Sequence, residues 1–239
     1  MTDDMTRLRW NRKPTAAQPL MGLTILAVED SRFASEALRL ACMRSGARLR
    51  RADCLASARR HLAVYRPALL LVDLGLPDGC GTELIAELSG GDVEPPVILA
   101  MSGEDGGEAR AREAGADGFL AKPLPGLAGF QAEILSYLPS EARPSGPRLA
   151  DPADMEPDGL ALQDDLKRAA EALEAGRGSR AAAYAAQFVA SVARSSKDGA
   201  LADAAQRFAR SHAAGQDVDL AHGNLRSALA ARLSDARQI

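Results

Sequence analysis

Between Leu23 and Leu138, short apolar runs alternate with longer stretches in which apolar residues recur every three or four positions. The runs at 23–28, 69–72 and 97–101 are nearly continuous in Leu, Ile, Val, Ala and Met, as expected of strands covered on both faces in a parallel sheet. Residues 48–53 and 118–121 read as two weaker strands. The intervening segments read as helices. Ser31 is a candidate N-cap for a helix to residue 45 that carries Phe33, Ala37, Leu40 and Ala41 on one face and stops at Gly46. Residues 54–65 place Leu55, Ala58, Leu62 and Tyr65 together before Pro67 ends the helix. Shorter helices are predicted at 82–88, closed by Gly90 and Gly91, and at 106–114, closed by Gly115. A fifth, at 127–138, carries Phe130, Ile134 and Leu138. Five β-α units in succession predict an α/β fold with a five-stranded parallel sheet between helices, because right-handed crossovers leave few other arrangements.

The pattern changes after residue 139. Residues 140–159 are rich in Pro, Asp and Glu and read as a linker. From residue 160 to 239 four helical stripes follow: Leu162, Leu166, Ala170 and Leu173; Tyr184, Phe188 and Val192; Leu201, Ala205 and Phe208; Leu225, Leu229 and Leu233. They predict an all-α bundle of about four helices with a thin, alanine-rich core. At the other end, residues 1–21 show no periodicity and carry Pro14 and Pro19, so a flexible arm is expected ahead of the α/β unit at 22–139. Within that arm Arg7, Arg9, Arg12 and Lys13 surround Trp10.

Bulk composition narrows the class of partner. With 29 basic and 32 acidic residues the formal net charge is −3, so no overall field draws the chain to nucleic acid or to an anionic membrane. No apolar run has the length of a membrane helix, and a cytoplasmic protein is expected. Cys42, Cys54 and Cys80 are odd in number and form no C-x-x-C pair, which argues against a disulfide framework and against zinc.

The chemistry lies where the strands end. Glu29 and Asp30 follow the first strand, Asp73 ends the third, Ser102 follows the fourth and Lys122 the fifth. In a parallel sheet all of these reach one edge, the edge at which open α/β sheets bind ligands. Carboxylates crowded there raise one another's pKa unless a cation lies among them. A hard divalent ion suits oxygen donors, and magnesium commonly combines one or two carboxylates with phosphate oxygens. Phosphoryl chemistry is the natural reading, with Asp73 able to attack phosphorus, Lys122 a point charge for a phosphoryl oxygen and Ser102 a hydroxyl donor.

Taken with the stretch from Val72 to Gly79, Ser102-Gly103, and the run from Gly115 to Pro123, this order of residues resembles the receiver domains of bacterial two-component response regulators. The resemblance implies that Asp73 accepts a phosphoryl group from the phosphohistidine of a histidine kinase or histidine phosphotransfer protein. It implies a magnesium ion, or manganese in its place, held by Asp30, Asp73 and the Gly75 carbonyl, with Glu29 acting through a coordinated water. It further implies that Lys122 pairs with the acyl phosphate, that Ser102 and Phe119 are the switch residues, and that the Lys122-Pro123 bond is cis. Gly75 and Glu104, each two residues beyond a site residue, fall at positions that modulate phosphoryl lifetime in the family.

Competing folds fit less well. A dehalogenase-type phosphatase needs a second Asp two residues after the nucleophile, where Gly75 stands, and Gly79-Cys80-Gly81 lacks the third glycine of a dinucleotide fingerprint. No catalytic output domain is recognisable in the C-terminal half, so no separate enzymatic activity is expected. Its arginines and lysines are interspersed with acids, so nucleic-acid binding is disfavoured. Neither His212 nor His222 is followed by the Lys-Gly step of a phosphotransfer bundle, and both read as surface or partly buried helical residues. The expected output is a helical module for a downstream protein partner or self-dimerisation. A transcriptional regulator with an unrecognised DNA-binding domain and a phosphorelay intermediate stand as alternatives.

Overall fold

The computed structural model describes residues 14–91, 96–140, 143–144, 159–174 and 179–235. They divide into two compact units, one made of 14–30 with 35–144 and the other of 31–34 with 159–235.

In the first unit five strands form one sheet: β1 Thr24–Val28, β2 Arg48–Ala52, β3 Leu69–Asp73, β4 Val97–Ser102 and β5 Gly118–Ala121. Their order is β2-β1-β3-β4-β5 and every neighbouring pair is parallel. This is the doubly wound, flavodoxin-like arrangement, which reverses direction between β1 and β3 and so opens a crevice beyond their carboxyl ends. The crossovers carry α1 Arg32–Arg44, α2 Leu55–Val64, α3 Gly81–Ser89 and α4 Gly107–Glu113, and α5 Leu127–Ser136 follows β5.

Alternation along the strands feeds two cores. Ile25, Ala27, Leu69, Leu71, Leu99 and Met101 pack with Leu38, Phe130 and Ile134 from α1 and α5. Leu26, Val28, Leu70, Val72, Ile98 and Ala100 face the other way, onto Leu55, Ala58, Leu84, Ile85 and Ala111 from α2, α3 and α4. Leu69 to Val72 are wholly buried, so the central strand is gripped from both sides. Truncating any of its leucines to Ala would cost about 3 kcal/mol.

Helix ends follow local chemistry. The Ser31 hydroxyl accepts the Ala34 N–H at 2.9 Å and caps α1 as expected. Cys54 Sγ caps α2 by accepting the Ser57 N–H at 3.4 Å. Gly46, at φ +81°, lies in the left-handed region that ends α1. A two-residue antiparallel ladder, Gly75–Leu76 with Gly79–Cys80, lies between β3 and α3. Cys42, Cys54 and Cys80 are free thiols.

The expected flexible arm needs correction at its C-terminal end. Leu20 is buried in the α1/α5 core, and its N–H donates to the Ser45 carbonyl at 2.9 Å. A single apolar anchor leaves no periodicity to read. The basic cluster around Trp10, and most of the 140–159 linker, lie outside the described residues. At the start of that linker Arg143 donates through Nε to the Leu138 carbonyl at 3.0 Å and so binds the end of the α5 segment.

The second unit contains α6 Gly159–Glu174, α7 Arg180–Ser195, α8 Gly199–Ala214 and α9 Val218–Asp235. Their core joins Leu166, Leu173, Phe188, Val192, Leu201, Phe208, Leu225 and Leu229 to a series of buried alanines. His222 departs from the surface or partly buried position expected of it. It is buried, its Nε2 lies 3.0 Å from the Leu173 carbonyl, and its ring centroid is 5.4 Å from that of Phe208. Asp198 caps α8 by accepting the Leu201 N–H at 3.0 Å and also binds Arg232 of α9 at 2.8 Å. No helix among the described residues is long and apolar enough to cross a membrane.

Candidate functional site

The carboxyl ends of β1, β3 and β5 bring Glu29, Asp30, Asp73 and Lys122 together. Glu29, Asp30 and Asp73 each offer a carboxylate oxygen within 4.8 Å of the others, and all three residues are buried. Lys122 Nζ lies 2.6 Å from Glu29 Oε2 and 3.1 Å from Asp73 Oδ1. The peptide bond between Lys122 and Pro123 is cis.

The backbone beneath these side chains is well held. The Glu29 N–H donates to the Ala52 carbonyl at 2.9 Å. Arg51 donates through Nε to the Glu29 carbonyl at 3.3 Å and through a terminal nitrogen to the Asp30 carbonyl at 3.2 Å. The Asp73 carboxylate pairs with Lys122, and the Leu74 N–H that follows it donates to the Met101 carbonyl at 3.1 Å. Gly81 opens α3 directly against this strand end, and a Cβ there would lie 2.1 Å from the Asp73 carbonyl oxygen. Only glycine fits.

Electrostatically the site is short of positive charge. Burial pushes Glu29 up to about 8 despite the pull of Lys122, with Asp73 and Asp30 adding to the rise. Burial also raises Asp73, opposed by Lys122 and by the nearby N–H groups of Gly75 and Leu74. For Lys122 burial favours the neutral amine, but the Asp73 and Glu29 carboxylates outweigh it and hold the ammonium form above the usual lysine range. One lysine does not neutralise three acids. Three hard oxygen donors in a buried, electron-rich cluster are the donor set of a divalent cation such as magnesium, so these residues fit that ion.

Ser102 is buried at the end of β4, its hydroxyl accepting the Glu104 N–H at 3.1 Å. Phe119 is half-buried on β5. Gly107 separates the two: a Cβ on it would meet Ser102 Cβ at 3.0 Å and Phe119 Cζ at 3.4 Å. Glu104 is drawn aside by Arg110, at 2.6 Å. Gly75 has open space where a side chain would project, with nothing within 4 Å.

Sequence reasoning missed Arg51, Gly81, Gly107 and Asp78. The Asp78 carboxylate accepts the Leu55 N–H at 2.8 Å and the Ala56 N–H at 2.9 Å, tying the loop after Asp73 to the start of α2. The double glycine at 106–107 was a usable signal of close backbone approach. Nothing in the Arg-rich β2 segment marked Arg51 apart from its neighbours.

Residues 25–129 match the response regulator receiver domain family. The KDP operon transcriptional regulatory protein KdpE of Escherichia coli is 36% identical over 110 residues, 46% of this chain and 48% of that protein. The phosphate regulon transcriptional regulatory protein PhoB of Pseudomonas aeruginosa is 28% identical over 131 residues, 54% of this chain and 55% of that protein. The chain thus spans about half the length of the curated relatives it matches. A solved signal receiver domain of a response regulator from Bermanella marisrubri aligns over 47% of this chain and 95% of its own, at 28% identity and a TM-score of 0.44. Sheet order, acidic strand ends and sequence relationship together make residues 25–129 a response regulator receiver domain.

Proposed function

We propose that Asp73 is the phospho-acceptor of a two-component signalling chain and that its donor is the phosphohistidine of a histidine kinase or histidine phosphotransfer protein. The observation that carries this reading is the placement of Lys122 Nζ 3.1 Å from Asp73 Oδ1, inside a cluster of buried carboxylates. An Asp73 oxygen attacks phosphorus, the bond from phosphorus to the donor's imidazole nitrogen breaks, and the imidazole leaves with its electron pair. Lys122 pairs with a phosphoryl oxygen, and the Ser102 hydroxyl donates to another. Asp30, Asp73 and the Gly75 carbonyl would hold magnesium, with Glu29 behind them. When bound, the ion supplies positive charge against which the phosphoryl oxygens and the carboxylates are no longer in conflict.

Phosphorylation of Asp73 draws Ser102 towards the phosphoryl group and frees space over Gly107 into which Phe119 moves. The change on the α4/β5/α5 side would switch the helical unit, which acts as a protein-interaction or dimerisation module in a cytoplasmic protein with no enzymatic output of its own. Incubating the full chain with acetyl phosphate and magnesium should add one phosphoryl group, and Asp73→Asn should abolish it. Labelling that survives in Asp73→Asn overturns the assignment.

A second reading makes the chain a DNA-binding regulator. It is favoured by the names of KdpE and PhoB, both transcriptional regulatory proteins. Saturable binding to random duplex that weakens steeply with added salt would support it, and no affinity at low salt would remove it.

A further inference from the structure

The opposite end of the same sheet carries a second charged feature, of the other sign. Thr24 and Arg48 begin β1 and β2 and face each other in register, at the far end of β1 from Glu29. Five residues of strand separate the two ends by about 15 Å. Around this amino end lies a cleft of about 420 Å³ lined by Thr24, Arg48, Arg50, His61, Tyr65 and Arg66.

The local sequence fixes each wall. Arg48 and Arg50 alternate with Leu49 on the edge strand, so both project to the side opposite the core that Leu49 joins. His61 and Tyr65 stand one turn apart at the end of α2, with Tyr65 Oη 3.1 Å from His61 Nδ1 and the ring centroids 5.7 Å apart at 83°. The Tyr65 N–H closes the helix on the His61 carbonyl at 3.1 Å, and Ala68 N–H then binds the Thr24 carbonyl at 2.8 Å, which leaves Arg66 at the mouth.

No carboxylate lines this cleft, and among the described residues none pairs with Arg48, Arg50 or Arg66. Elsewhere on the same unit arginines are paired: Arg39 with Glu36, Arg59 with Glu87, Arg110 with Glu104 and Arg112 with Glu108. Three guanidinium groups gathered round one concavity repel each other until an anion joins them. Guanidinium forks match phosphate oxygens, and the Tyr65 and His61 rings offer flat surfaces against which a planar group can rest. The volume falls in the range of small-molecule sites.

We propose that this cleft binds a nucleoside phosphate, its phosphate held by Arg48, Arg50 and Arg66 and its base against Tyr65 and His61. The site is independent of Asp73, so a nucleotide would add a second input to the receiver. Calorimetry on the full chain at low salt, with AMP, GMP, CMP and UMP as probes and ribose 5-phosphate and inorganic phosphate as controls, tests it. At least one nucleotide should bind saturably and at least tenfold more tightly than ribose 5-phosphate or inorganic phosphate. Arg50→Ala and Arg66→Ala should each weaken it by tenfold or more, Arg50→Lys by less, and Asp73→Asn not at all. Both arginines are exposed, and far-ultraviolet dichroism of each variant verifies the fold. No saturable binding of any of the four overturns the proposal, as does affinity equal to that for inorganic phosphate or untouched by the arginine variants. Loss in those variants of random-duplex binding alone would likewise overturn it, in favour of a polymeric partner.

Discussion

Lys122 sits closer to Glu29 than to Asp73, 2.6 Å against 3.1 Å, so the lysine is shared between an acid of β1's end and one of β3's. Lys122→Met leaves the buried carboxylates facing one another without a counter-charge. The expected loss of stability is about 3 kcal/mol near neutral pH. It should be larger still at about pH 9, above the value of about 8 to which burial raises Glu29, because that carboxyl then adds its charge to the repulsion. Urea midpoints at the two pH values measure this, and an equal loss at both would show that the charge is not the cause.

Two glycines flanking the Asp73 loop should behave in opposite ways. At Gly81 a methyl group would lie 2.1 Å from the Asp73 carbonyl oxygen, so Gly81→Ala should cost about 3 kcal/mol and displace the strand end. Phosphoryl labelling by acetyl phosphate should fall with it. At Gly75 nothing lies within 4 Å, so Gly75→Ala should leave the melting temperature almost unchanged. Scanning calorimetry on both variants separates steric exclusion from a general intolerance of change near the site.

Asp78 links the phospho-acceptor loop to α2 by accepting two N–H groups from its first turn. Asp78→Ala should destabilise the α/β unit by about 1 kcal/mol, whereas Asp78→Asn should recover much of the loss because an amide oxygen still accepts. Hydrogen exchange should quicken first at Leu55 and Ala56. Exchange accelerated uniformly along the unit would argue against a local cap.

The helical unit carries its own acid-sensitive joint. Arg232 beside Asp198, together with the Leu201 N–H, holds the Asp198 carboxyl below its usual range despite partial burial. A group whose folded-state pKa is depressed contributes stability that is present above its unfolded value of about 3.9 and lost as pH falls through the folded value. Below about pH 4 the wild-type chain should therefore weaken towards Asp198→Asn, which carries no titrating group. Denaturant midpoints of the two proteins should converge on acidification, and a constant gap would refute the assignment.

The five-unit α/β plan was legible because each strand face is buried and each helix carries a stripe, so periodicity recorded both strands and helices. The convergence of Glu29, Asp30, Asp73 and Lys122 followed from that plan alone, since a parallel sheet brings all strand ends to one edge. Leu20 escaped notice because one anchored residue has no period, and Arg51 because its partners are backbone carbonyls, which leave no mark in the side-chain sequence. His222 misled for a related reason: its partner, the Leu173 carbonyl, lies on another helix. Gly81 and Gly107 depended on distances across loops, where spacing along the chain says little about approach in space.

The missing Cβ at Gly81 reaches into inheritance. Every amino acid that one base change in a glycine codon can introduce has a Cβ, so each such missense change at position 81 would meet the Asp73 carbonyl. At position 75 a Cβ meets nothing within 4 Å. Beside the same aspartate, then, one codon is closed by backbone contact and another is not, and variation among descendants of this chain should be scarcer at the first.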